Sequence, residues 1–314
     1  MRPVAHRKPS YVHNQSTASL SKYYDVFCKN FNLSFGHPRQ DVCSFCSETS
    51  IKIKNEIDIE KKVDLEDVLL DHKNKSKCFS RMMTEKLPNT VQVCFDMMQN
   101  QPLPKLSVTD TFYSRQAWVY NLTFVIMSEN DQSKDNCYLY TWHEGESGRG
   151  PNEIGSALIH FLEILEERYK TKSRPPTILN LYSDSCSGQN KNKFIMGLLL
   201  YYMNCKDTIF NKIKHIFPVR GHSYMAADQV FGRIEKVLHK KEIIVCPTQY
   251  HDIFKQFCQV KTYENDFKVY NIKDALPKTT SFYEDIFKLN ELESIEDSAI
   301  NEEGACIYSE DTSY

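Results

Sequence analysis

The sequence has no apolar run long enough to cross a bilayer: its longest, Phe194-Ile195-Met196-Gly197-Leu198-Leu199-Leu200-Tyr201-Tyr202-Met203, is too short for a membrane helix. It has no excess of charge of one sign either. With 39 basic against 41 acidic residues the net charge is −2, so no global positive field announces a nucleic-acid binder and any such contact has to be local. Met1-Arg2-Pro3-Val4-Ala5-His6-Arg7-Lys8-Pro9 lacks an apolar h-region and does not read as a secretory signal. A disulfide framework is missing as well, because the 11 cysteines are odd in number and scattered through strand-like and helix-like segments. No internal repeat is visible. These absences lead to the expectation of a soluble intracellular protein, nuclear or cytoplasmic, without a membrane partner. What is present, 41% hydrophobic and 12% aromatic residues over 314 positions, suffices for one substantial core and a small satellite domain.

The texture of the chain divides it into zones. Residues 1–22 are polar and read as a flexible arm. Residues 23–88 form a charged segment bearing Cys and His, in which Asp64 to His72 has helical apolar spacing, and a small zinc-binding helical module is expected there. Residues 89–245 alternate β-rich runs with amphipathic helices, the pattern of an α/β domain with a mixed sheet. Residues 246–290 are an extension with an expected hairpin, Gln259–Tyr263 and Phe267–Ile272 turning at Glu264-Asn265-Asp266, and residues 291–314 an acidic disordered tail.

Within the third zone, Val91 to Asp96, Trp118 to Ile126 and Asn136 to Trp142 read as three strands. Pro151 suits the first turn of a helix whose Ile154, Leu158, Phe161, Leu165 and Tyr169 recur at helical spacing. A strand from Thr177 to Asp184, the apolar helix from Phe194 to Met203, a strand from Ile213 to Val219 and a helix from Tyr224 to Lys240 complete the order β-β-β-α-β-α-β-α.

Asp96 and Asp184 each end a strand, where side chains open into a crevice. If those strands are neighbours the carboxylates converge, and converging carboxylates raise each other's pKa unless a hard cation such as Mg²⁺ or Mn²⁺ neutralises them. A third acid is expected on the last helix, where Asp228 and Glu235 lie two turns apart on one face; the choice between them stays open. Three carboxylates can hold two ions about 4 Å apart for phosphodiester cleavage or strand transfer. After Asp184, Gly188-Gln189-Asn190-Lys191-Asn192-Lys193 leads into a helix N-terminus, where Gln189, Asn190, Lys191 and Lys193 are candidates to hold a phosphate, against the plainer reading of a solvated turn with an Asn cap. His222 is a candidate substrate-steering group or proton shuttle, or else a structural histidine. Arg149 reads first as a loop residue before a helix and second as a substrate contact.

Cys43-Ser44-Phe45-Cys46 has zinc-knuckle spacing. The favoured Zn²⁺ set is Cys43, Cys46, His72 and one of His37 or Cys78, with Cys28 an outsider; its role is expected to be structural, since a segment this polar needs a staple.

Taken together, Phe95-Asp96-Met97-Met98-Gln99-Asn100-Gln101-Pro102-Leu103-Pro104-Lys105, Arg149-Gly150-Pro151-Asn152-Glu153-Ile154-Gly155-Ser156, Asp184-Ser185-Cys186-Ser187-Gly188-Gln189-Asn190-Lys191-Asn192, and Gly221-His222-Ser223 through Asp228 to Glu235 resemble a large family of transposon-derived proteins, often known only as a domain of unknown function and multiplied in many animal genomes. The resemblance covers roughly Tyr23 to Val245. It implies a ribonuclease-H-like core of the DDE transposase and integrase type, with Asp96, Asp184 and Asp228 or Glu235 as its acids, acting on DNA with two divalent ions. It equally allows a catalytically inactive, domesticated relative serving as a nucleic-acid- or protein-binding module. The family pattern carries more sequence ahead of the cysteines, which implies a DNA-end-binding module outside this chain. DNA is the expected partner, and a homo-oligomer is left open.

Overall fold

The alternation of large apolar residues along the strands sets the architecture, and the structure, a computed structural model, describes residues 19–31, 42–106, 108, 115–127, 133–205, 207–275 and 310–311. The chain divides into two compact units, Met1–Val42 and Cys43–Tyr314. In the first, helix α1 (Leu20–Asn30) is capped by Ser19, whose hydroxyl accepts from the Lys22 amide at 3.3 Å. The expected arm lies outside the described residues except for its last few, as does the expected acidic tail except for two residues.

The second unit opens with helices α2 (Ser44–Asn55) and α3 (Ile59–Thr84) and continues into a mixed sheet. Its strands are β1 (Thr90–Met97), β2 (Gln101–Leu103), β3 (Ala117–Ile126), β4 (Cys137–His143), β5 (Ile178–Tyr182), β6 (Lys212–Ile216), β7 (Gln259–Thr262) and β8 (Glu310–Asp311). Along the sheet they run β7-β4-β3-β1-β5-β6-β8, with β2 paired to β3 off that path. The β1/β3 and β3/β4 pairs are antiparallel, whereas β1/β5 and β5/β6 are parallel. Helices α4 (Pro151–Lys170), α5 (Lys193–Cys205), α6 (Ala226–Leu238), α7 (Pro247–Phe254) and α8 (Ile272–Ala275) supply the cover.

Both faces of the sheet are apolar because both are covered. Val91, Val93 and Phe95 of β1, with Tyr138, Tyr140 and Trp142 of β4, point to one side and pack on Ile154, Leu158, Phe161 and Leu165 of α4 and Ile195 and Leu199 of α5. Cys94, Leu139 and Tyr182 point to the other and meet Val230, Phe231 and Ile234 of α6, Tyr250 and Phe254 of α7, and Phe79 near the end of α3. The last turn of α3 is fastened to the sheet centre by polar contacts too: the Met82 carbonyl accepts from Gln92 Nε2 at 2.8 Å and from the Tyr182 hydroxyl at 2.9 Å. Burial of a side chain such as Phe161 or Leu158 is worth about 1.5–3 kcal/mol each, and these layers account for most of the driving force.

The order β-β-β-α-β-α-β-α is present from β1 to α6, with the three-residue β2 interposed. The expected hairpin is not. Gln259–Thr262 becomes the edge strand β7, parallel to β4, and the turn after it is closed by the Asp266 carboxylate, which accepts from the Thr262 amide at 2.8 Å. Phe267 then drops into the core against Tyr140 and Trp142, and the Tyr270 amide donates to Ser156 Oγ at 2.8 Å. The chain thus leaves the sheet to cover α4, so Phe267 to Ile272 forms no second strand. No helix among the described residues is long and apolar enough to cross a membrane.

Candidate functional site

The register of the two central parallel strands decides where the acids meet. Cys94 of β1 lies opposite Tyr182 of β5, the last pair of that ladder; Asp96 and Asp184 each lie two residues beyond it, near enough for the charge of Asp184 to act on Asp96. Asp96 is still within β1 and accepts from the Met97 amide at 2.7 Å. Asp184 follows the end of β5, and its Oδ1 accepts from the Asn190 side chain at 2.5 Å and from the Cys186 amide at 3.3 Å. Asn190, fully buried, is therefore a clamp on Asp184, whereas the cap of α5 is Asn192, whose Oδ1 accepts from the Phe194 and Ile195 amides at 3.1 Å. Behind the pair, Ser183 Oγ lies 2.9 Å from Nε2 of His215, a histidine that burial, with help from the Lys191 charge, drives down to about 3 and so keeps neutral.

Asp96 carries the mark of crowded carboxylates. Its pKa is raised from 3.8 to about 7, by burial first, then by the charge of Asp184, with Asp228 adding a smaller push; the Met97 amide and the Arg149 guanidinium oppose the rise. Asp228 sits in the first turn of α6 and closes a capping box, its Oδ2 accepting from the Met225 amide at 2.8 Å. Glu235 lies two turns further along α6, about 10 Å by helical rise, and is not among the groups that shift Asp96. Of the two candidates for third acid, Asp228 is the one electrostatically joined to the pair.

Arg149 reaches the same place. Glu153 is occupied in holding the loop ahead of α4, accepting from Ser147 Oγ at 2.8 Å and from the Gly148 and Gly150 amides at 3.0 and 2.8 Å. Arg149 is left to face the acids and Gln189; with the Gln189 amide turned oxygen-first, it accepts from Arg149 Nε at 3.0 Å and from Nη2 at 3.2 Å. Lys191 and Lys193 flank this loop with their ammonium groups over the rings of Phe217 and Phe194, at 4.9 and 5.4 Å.

A second constellation is tighter. Cys43 precedes α2 and Cys46 lies in its first turn, so their thiols emerge on one side. Cys43 Sγ is 3.4 Å from Nε2 of His72 on α3, and Cys46 Sγ is 3.4 Å from Nε2 of His222. The ligand atoms of Cys43, Cys46, His72 and His222 all lie within 4.8 Å of one another, the one such group among the described residues. For zinc with bonds of about 2.3 Å to sulfur and about 2.05 Å to nitrogen, a tetrahedral sulfur-to-nitrogen edge is about 3.6 Å. The donor set and spacing fit such an ion, and this Cys2His2 group can hold a metal such as zinc. Burial and the neighbouring Cys43 hold the Cys46 thiol above its ordinary pKa, while burial and His222 hold His72 below its own.

His222 is thus drawn away from the proton-shuttle role the sequence suggested. Cys78 is buried on α3 outside the group, Cys28 is exposed on α1 in the other unit, and His37 lies outside the described residues. The fourth ligand was missed because it stands 176 residues beyond Cys46, where no spacing rule reaches. Only the structure singles out the residue ahead of it. Gly221 has φ +83°, and a Cβ there would come within 2.8 Å of Cys43 Sγ, so the glycine ahead of His222 marks a close approach.

Among protein families, the domain of unknown function DUF7869 matches residues 114–298. No curated protein matches the chain. The matched stretch contains Arg149, Asp184, Asp228 and His222, whereas Asp96, Cys43, Cys46 and His72 lie ahead of it.

Proposed function

This chain belongs to the DUF7869 family, and we propose that it is a transposon-derived, ribonuclease-H-like protein that cuts or joins DNA phosphodiester bonds with two divalent metal ions. The observation that carries the reading is that Asp96 and Asp184, each two residues past the last pair of adjacent parallel strands in the middle of the sheet, interact electrostatically, with Asp228 acting on Asp96 as well. The strand order β4-β3-β1-β5-β6, with β3 antiparallel to both β1 and β4 and with β5 and β6 parallel to β1, supports the fold assignment.

The three acids are hard oxygen donors, and such donors suit Mg²⁺ or Mn²⁺. Bound there, two such ions supply Lewis acidity and a nucleophile ionised near neutral pH. The remaining work falls to side chains. Asp96 would hold a cation in its ionised form, and Asn190, by donating to Oδ1 of Asp184, holds that carboxylate in place. Arg149, paired with Gln189, is the group we assign to a phosphate oxygen, since its guanidinium offers a planar fork. Lys191 and Lys193 add positive charge at the helix entrance. In the Cys2His2 group, zinc would act as a structural ion, closed to substrate by four protein ligands.

The test is nicking of supercoiled plasmid DNA by the zinc-loaded 314-residue chain in Mn²⁺. The expected result is metal-dependent nicking that Asp184→Asn removes. A wild-type protein that binds the plasmid yet nicks no faster than Asp184→Asn would leave the inactive, nucleic-acid-binding relative as the better account.

A further inference from the structure

Between β6 and α6 runs a segment, Phe217 to Met225, without regular structure, and each end of it is tied to the acidic site. The Pro218 carbonyl accepts from Oγ of Ser185, the neighbour of Asp184, at 3.1 Å. At the other end the Met225 amide donates to Asp228. Its middle is exposed at Arg220, Gly221, Ser223 and Tyr224, and what holds that middle is the Cys2His2 group: Cys43 Sγ donates to the Arg220 carbonyl at 3.7 Å, Gly221 lies against Cys43, and His222 meets Cys46.

We propose that metal at Cys43, Cys46, His72 and His222 is a positioning lock for the carboxylate site: it pins the Phe217–Met225 segment to α2 and α3 and thereby sets Asp228 against Asp96 and Asp184. The proposal rests on the reading of the carboxylates as a divalent-cation site. Its physical basis is that exposed backbone with few internal hydrogen bonds opens locally at little cost, and that α6 begins directly after Met225, so its first-turn acid follows the segment. A coordinate bond from His222 to an ion fixed by Cys43, Cys46 and His72 removes that freedom where two thiol contacts do not. His222 and Gly221 are then positioning residues. Supports of this kind change metal affinity on the order of 10- to 100-fold when removed.

The experiment is Mn²⁺ binding to the full chain, read by the loss of the free-ion electron paramagnetic resonance signal. It is run on wild-type protein stripped of metal and desalted, then supplied with zero or one equivalent of zinc, and on Cys46→Ser. Cobalt in place of zinc reports occupancy of the Cys2His2 group by its visible bands, and circular dichroism reports the fold. The expected result is Mn²⁺ binding at least about 10-fold tighter with one equivalent of zinc, and weak binding in Cys46→Ser whatever zinc is added. Equal Mn²⁺ affinity with and without zinc in the wild type overturns the lock. Absence of Mn²⁺ binding even in the zinc-loaded wild type, or binding that Asp184→Asn leaves intact, overturns instead the cation-site reading on which the lock stands.

Discussion

The two constellations of this protein are built on opposite terms. The Cys2His2 group gathers four ligands from α2, α3 and a distant loop until their atoms lie within 4.8 Å of one another. Two of the carboxylates, Asp96 and Asp184, are placed by the sheet and the third, Asp228, by the first turn of α6, and the pKa of Asp96 is raised to about 7 by burial first and then by the charge of Asp184. Soft ligands closed around one point leave no room for a substrate, which suits a staple; hard ligands at strand ends leave room for ions, water and a phosphate. On the proposed reading, the contrast is between a site completed by long-range convergence and a site completed by the ions it would bind.

The sharpest way to break the comparison is to exchange the two candidates for third acid. Asp228→Asn is expected to lower Mn²⁺-dependent nicking by on the order of 10²- to 10³-fold, while Glu235→Gln stays within about twofold of wild type, allowing for the modest reach of a surface charge. Steady nicking assays on both variants decide it; the reverse ranking would move the site two turns down α6. Next in size is the staple. Stripping the Cys2His2 metal, or Cys43→Ser, is expected to cost several kcal/mol of stability to the region joining α2, α3 and the β6–α6 segment, because binding energy at such a site is folding energy. Thermal unfolding with and without one equivalent of zinc measures this, and an unchanged melting temperature would reduce the group to a coincidence of side chains.

What could be read beforehand depended on how local the physics was. β1, β3, β4 and α4 were legible because their apolar period matches one element and no other contact overrides it. The approach of Asp96 to Asp184 was legible one step further out, since two strand-end acids need only parallel neighbours to meet. Cys43, Cys46 and His72 were within reach for the same reason, all lying in one short helical module. His222 was not: its partner is 176 residues away, and the glycine before it looks like any turn residue until Cys43 is beside it. The hairpin failed because alternation around Phe267 also fits a single aromatic anchor between Tyr140 and Trp142, and the core took it.

Glycines in the loops of the two sites give a smaller and cleaner contrast. Gly221 combines a φ of +83° with a Cβ position 2.8 Å from Cys43 Sγ, whereas a Cβ on Gly188, in the loop after Asp184, meets nothing within 4 Å. Gly221→Ala is expected to cost about 1–3 kcal/mol and to weaken cobalt binding at the Cys2His2 group. Gly188→Ala is expected to fall within about 0.5 kcal/mol of wild type. Denaturant unfolding of the pair, with cobalt titration as the second readout, checks both; equal costs would mean that the loop around His222 is not held as tightly as its contacts imply.

The smallest effect is the proton on Asp96. Its folded pKa, about 7, lies above the ordinary 3.8, so between those values the folded protein keeps a proton that the unfolded chain has lost. Stability therefore falls as pH rises through that window and is flat on either side of it. The full shift is an upper bound, because side chains and water relax around a buried charge once it forms; about 1–2 kcal/mol is the discounted expectation. Asp96→Asn removes the ionisation, so with zinc bound and no other divalent ion present the variant should gain on wild type from nothing near pH 4 to that amount at pH 8. Adding Mg²⁺ at pH 8 should erase the gain, since the cation stabilises the ionised wild-type site and finds no charge to neutralise on the amide of the variant. Unfolding curves at the two pH values, with and without Mg²⁺, read all four numbers. A gain that persists in Mg²⁺ would mean that Asp96 is strained for a reason other than a missing cation.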